Sequence, residues 1–131
     1  MKLKACGLSN PVEIETCVSL NINYCGFILN YPKSHRHISF DRARELTKIN
    51  KGNSKYVGVL VEPTIEQLNQ FSELNFDYFQ LYGNFHPEEL MRIKDKFKKK
   101  IISSIQVSKK EDIENYKLVE RNSDIILWDS S

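Results

Sequence analysis

Long hydrophobic runs are missing from this chain. Nothing approaches the ~18 consecutive apolar residues of a membrane span, and Glu13 and Glu15 interrupt the region where a secretory signal would need an apolar core. Glycine is sparse and scattered, five in 131 residues, so no glycine-rich loop stands ready to cradle a phosphate. The three cysteines are odd in number and irregularly spaced, which excludes a disulfide framework and fits a reducing cytoplasm. No C-x-x-C pair occurs, and His35, His37 and His86 lack the spacing of a metal site, so neither metal nor cofactor is expected. Charge of either sign is not in excess. With 19 basic and 17 acidic residues the net charge is +2, and no global field points to nucleic acid or membrane. The one basic run, Lys94 to Lys100, falls at the end of an expected helix, where it complements the helix dipole.

What is present is a repeat of short apolar runs and helical patterns. A hydrophobic content of 40% and a charged content of 27% describe a soluble globular chain, read as one domain over 1–131 because no linker or composition break interrupts it. Strands are expected at Leu3–Cys6, Tyr24–Leu29, Tyr56–Val61, Tyr78–Leu81, Ile101–Ile105 and Ile125–Trp128. Between them lie five helices. The first starts at the cap Asn10 with Pro11 next, and buries Ile14, Cys17 and Val18. The second follows Ser39 and presents Ala43, Leu46 and Ile49. The third opens with a Thr64–Gln67 capping box, the fourth with Pro87-Glu88-Glu89 before Leu90, Ile93 and Phe97, and the fifth with a Ser108–Glu111 box before Ile113 and Tyr116. Strand–helix–strand repetition means parallel strands joined by crossover helices. Periodicity leaves two architectures open: a closed (βα)8 barrel and an open doubly wound sheet.

In parallel α/β proteins chemistry gathers at the carboxyl ends of the strands. That rule selects Cys6, Glu62, Tyr82 and Asp129, with Arg36 on the long loop after the second strand. Alternation puts Lys4 on the face of Cys6, and Ile125 and Leu127 on the face of Asp129. A cation beside the thiol would favour thiolate; a carboxyl above aliphatic side chains would stay protonated. The pair then offers a base and an acid. A lone cysteine or aspartate at a strand end is ordinarily a buried small residue or a turn former, and Cys17 and Cys25 are read as core.

Three segments lift the pair above that ordinary reading: Lys4-Ala5-Cys6-Gly7, Tyr31-Pro32-Lys33-Ser34-His35-Arg36 and Ile126-Leu127-Trp128-Asp129-Ser130. In order and spacing they resemble the phosphoribosylanthranilate isomerase family. The resemblance covers essentially the whole chain and implies an α/β fold of the (βα)8 TIM-barrel type. It also implies an Amadori rearrangement in tryptophan biosynthesis, needing no metal or cofactor. Under it Cys6 is the general base and Asp129 the general acid. Arg36 grips the anthranilate carboxylate, and Lys4 and Tyr82 line the substrate. Tyr82 stands where the family usually has histidine, and Ala5 where a larger aliphatic is usual.

The chain reaches about the end of the sixth strand of such a barrel. The expectation is therefore a barrel truncated after that strand, inactive as 131 residues, with unpaired sheet edges open to self-association. The expected partner is a small sugar-phosphate substrate, with no nucleic acid and no membrane. Two other readings stay open: another sugar-phosphate-binding barrel enzyme, and a non-catalytic open-sheet domain used for binding.

Overall fold

The computed structural model describes residues 1–106, 120 and 122–129. Among the described residues six strands and four helices follow in the order β1 Lys4–Ala5, α1 Pro11–Ser19, β2 Tyr24–Ile28, α2 Phe40–Leu46, β3 Lys55–Val61, α3 Ile65–Ser72, β4 Tyr78–Tyr82, α4 Pro87–Phe97, β5 Lys100–Gln106 and β6 Ile125–Asp129. The expected fifth helix, with its Ser108–Glu111 box, lies outside the described residues.

The helix starts follow from local chemistry. Asn10 Oδ1 accepts the Glu13 N–H at 2.9 Å, with Pro11 behind it where no N–H is required. Ser39 Oγ accepts the Arg42 N–H at 3.1 Å. The Thr64–Gln67 capping box closes in both directions, at 3.1 and 3.0 Å. Helix α2 ends at Leu46, so Ile49, expected on its apolar face, lies past it. The Ile49 carbonyl instead accepts the buried Tyr56 hydroxyl at 2.7 Å, and burial pushes that phenol up to about 12.

The six strands lie in one parallel sheet in the order β1-β2-β3-β4-β5-β6. A doubly wound sheet reverses its order at a switch point and carries helices on both faces. Here the order never reverses. One sheet face packs Cys25, Phe27, Leu60, Phe79 and Ile101 against helix residues such as Ile14, Leu46, Leu68 and Leu90. The other gathers Tyr24, Val57, Val59 and Ile102, with Ile28, Tyr78, Tyr82, Ile125 and Leu127 against them. The result is a curled half-barrel, and the open-sheet alternative falls.

A repeated clip ties the strands in pairs at their amino ends. The residue just before each even strand turns a side-chain oxygen onto an N–H at the start of the preceding odd strand. Asn23 Oδ1 accepts from Leu3 at 2.8 Å, Asp77 Oδ2 from Tyr56 at 2.9 Å, and Asp124 Oδ2 from Ile101 at 2.8 Å. The carboxylates hold lysines as well, Lys51 at 2.9 Å and Lys94 at 3.0 Å. The basic run meets the last turn of α4 with Lys94 and Lys96, as expected. Lys94 belongs to an ion pair, and Lys99 Nζ donates to the carbonyls of Leu74 and Phe76 at 3.2 and 2.9 Å. Burial lowers the Lys99 pKa, against the pull of Asp77.

Strand β1 is shorter than expected, because the chain turns out of the sheet directly after Ala5. Leu8 N–H bonds the Gly26 carbonyl at 3.0 Å, and Gly7 takes φ +78°, a left-handed conformation that a side chain would strain. The turn leaves Cys6 at the rim.

Candidate active site

Cys6 follows β1 and its thiol is exposed. Its neighbour across the sheet is Gly26 of β2. A Cβ there would press on the flexible end of Lys4, 3.1 Å from its Nζ, and stand in contact with Cys6 Sγ at 3.4 Å. Glycine thus clears a space that an ammonium and a thiol share, and Lys4 and Cys6 meet on one face, as alternation requires. Cys25, on the same strand as Gly26, is fully buried. Burial first, then the neighbouring Cys17, push its thiol up, so it stays protonated and inert.

Arg36 comes to the same rim from the loop after β2. Its Cβ and Cγ lie 3.1 Å from the point where a Gly7 Cβ would stand, so the stem rests on the turn that carries Cys6. The guanidinium donates from Nη1 to Glu13 Oε2 at 2.8 Å, and the side chain as a whole is 46% exposed. Glu13 Oε1 accepts from the Ser9 N–H at 2.9 Å and the Ser9 hydroxyl at 3.1 Å. The Ser9 N–H, with Arg36 and the Ser9 hydroxyl, outweighs desolvation and holds the Glu13 carboxyl below its ordinary pKa. Arg42 Nε adds a second tie, bonding the Ser9 carbonyl at 3.3 Å.

The remaining expected residues occupy other strands. Tyr82 ends β4, packs against the inner apolar cluster, and its hydroxyl takes a 3.2 Å bond from Gln80 Nε2. Glu62 directly follows β3 in a left-handed conformation, φ +40°, exposed, with its Cγ crowding Gly83. Asp129 ends β6, in register with Gln106 of β5; its side chain lies outside the described residues. Lys4, Cys6 and Arg36 are thus brought together, while Tyr82 and Asp129 stand further round the same rim.

Sequence reasoning missed three polar residues. Glu13 had only the signal of an acid in the first turn of α1. Gln80 is 1% exposed inside an otherwise apolar strand, which is a readable anomaly. Among the described residues its Oε1 and the buried Ser104 Oγ have no hydrogen-bond partner.

The family model for N-(5'-phosphoribosyl)anthranilate (PRA) isomerase matches residues 3–131. The chain belongs to that family. It is 31% identical over 129 residues to the isomerase of Rhizobium etli, covering 98% of this chain and 58% of that protein. It is 33% identical over 132 residues to the isomerase of Parabacteroides distasonis, covering 99% and 59%. A solved structure of monomers of the dimeric isomerase from Thermotoga maritima superposes with a TM-score of 0.87 at 27% identity, covering 99% of this chain and 64% of that one. Another isomerase structure, in complex with reduced 1-(o-carboxyphenylamino)-1-deoxyribulose 5-phosphate, gives 0.86 at 29% identity, covering 100% and 66%. The chain therefore spans somewhat less than two thirds of the isomerases it matches, and its arc of six strands is the corresponding part of their barrels. Among the described residues no helix is long and apolar enough to cross a membrane.

Proposed function

We propose that this chain carries the base, the acid and the carboxylate anchor of an N-(5'-phosphoribosyl)anthranilate isomerase acting in tryptophan biosynthesis. The observation that carries the reading is the cluster at the first two strand ends: an exposed thiol, an ammonium beside it over Gly26, and a half-exposed arginine resting on the next turn. Asp129 donates a proton to the ribose ring oxygen as the C1–O bond breaks, and the anthranilate nitrogen lone pair forms the iminium. Cys6 thiolate takes the C2 proton, giving an enolamine. Protonation at C1, with loss of the C2 hydroxyl proton, gives the 2-ketone. The net change is an internal oxidation and reduction, with no outside oxidant or reductant. Lys4 stabilises the thiolate, and Arg36 forks the aromatic carboxylate. Tyr82, anchored by Gln80, contacts the substrate, and the unpaired Gln80 Oε1 is an acceptor for a sugar hydroxyl. The reaction draws on no metal or cofactor and belongs in the cytoplasm.

The test is turnover of phosphoribosylanthranilate by a chain of the relatives' full length that contains these residues, and by two variants of it. Cys6→Ala and Asp129→Asn are each expected to lose about 10²- to 10⁴-fold in turnover, the usual worth of a positioned acid or base. Unchanged turnover in either variant would remove the role assigned to that residue. We also propose that β1 and β6, the two edges of the described sheet, pair with further copies of the chain. Sedimentation should then show mass rising with concentration; a constant monomer mass would refute it.

A further inference from the structure

We propose that Glu13 is a positioning residue for Arg36, holding the guanidinium over the Cys6 turn so that its free edge meets a substrate carboxylate. The inference rests on the anchoring role proposed for Arg36 above and adds to it a residue without which the anchor is loose. The ordinary alternative is a surface ion pair of little consequence, the common fate of exposed pairs. Three features of the site argue against it.

Glu13 is itself fixed before it reaches Arg36. Its N–H is bound to Asn10 at 2.9 Å, and Oε1 accepts two bonds from Ser9, at 2.9 and 3.1 Å. The second oxygen is then aimed, and it meets Nη1 at 2.8 Å. The arginine stem is confined as well, lying against Gly7 where any side chain would press on its Cβ and Cγ at 3.1 Å. Finally, the pair joins the first turn of α1 to the loop after β2, alongside the Arg42 bond to the Ser9 carbonyl. A guanidinium is a planar fork. With Nη1 committed to Glu13 and the stem pinned, the plane is set, and the Nε–Nη2 edge can take a carboxylate through two parallel bonds. A free arginine would have to give up its rotamer freedom on binding instead.

Glu13→Gln separates the two duties of the side chain. Its amide oxygen can keep both Ser9 bonds, while its NH₂ faces the guanidinium as donor against donor. The measurement is calorimetric binding of reduced 1-(o-carboxyphenylamino)-1-deoxyribulose 5-phosphate to the parent chain, Glu13→Gln, Arg36→Ala and the double variant. The expected result is a roughly three- to tenfold weaker Kd for Glu13→Gln, a larger loss for Arg36→Ala, and no added loss when both are changed. Thermal midpoints within a few degrees of the parent would show that the fold is kept. Equal or tighter binding by Glu13→Gln overturns the inference. So does a loss that recurs undiminished in the Arg36→Ala background, since that would mark a general structural effect. If Arg36→Ala binds like the parent, or the parent does not bind, the anchoring role of Arg36 falls and the inference falls with it. Loss in Arg36→Ala with none in Glu13→Gln removes Glu13 alone.

Discussion

Gly26 shows how a residue with no side chain can shape a reactive site. The space over it is taken by Lys4 Nζ and Cys6 Sγ, so what β2 contributes there is room. A methyl group at that point would meet the end of a flexible lysine at 3.1 Å and ordinary contacts elsewhere, so the fold should absorb it. Gly26→Ala is therefore expected to move Tm by only a few degrees while turnover falls about tenfold or more, through displacement of groups that must be placed to within about 1 Å. Wild-type turnover in this variant would show that Lys4 need not stand beside Cys6. Cys6 itself was readable from the sequence, because the end of a strand is a local property. Its neighbour was not, because nothing local says which glycine faces it.

At the scale of elements, the paired clips explain how short strands hold their register. Each clip gives an N–H at or beside the start of an odd strand an acceptor where the backbone ladder begins. Asp124, like Asp77, does two things in one group, accepting from Ile101 at 2.8 Å and holding Lys94 at 3.0 Å. Asp124→Ala should destabilise the chain by about 1 to 3 kcal/mol, the usual penalty for stranding a partly buried donor, read as a fall in Tm. Burial opposes ionisation of this carboxyl, but the Ile101 N–H and the lysines prevail and its pKa is lowered. A lowered folded pKa gives stability that is present above the unfolded value, near pH 4, and is lost as pH falls through the folded one. The Tm gap between parent and Asp124→Ala should therefore be widest at neutral pH and shrink in acid. A gap independent of pH would show that the carboxylate charge contributes nothing. Helix caps such as Asn10, Ser39 and Thr64 were legible beforehand, since a cap and its N–H are neighbours in sequence. The clips join residues about 20 positions apart, as Asn23 joins Leu3, and so were not.

For the whole molecule, the placement of the two groups proposed to react is a matter of sheet order. Cys6 follows β1 and Asp129 ends β6, the two edges of the described sheet. If both act on one substrate in one sequence of proton transfers, their losses should not add. The variant carrying Cys6→Ala and Asp129→Asn together should turn over about as slowly as the slower single variant. Fully multiplicative losses would indicate groups that do not work as a unit. The resemblance takes in nearly all of this chain and 58% of the Rhizobium etli isomerase.

The sequence by itself determined the alternation of strands and helices, the caps, the rim candidates and the family. Each of these rests on periodicities and motifs spanning a few residues. Tertiary structure alone decided that the sheet runs in sequential order with its described helices on one face. It alone placed Gly26 under the thiol and ammonium, and Glu13 on Arg36. Such pairings depend on which distant segments the packed chain brings together, and no local propensity encodes them.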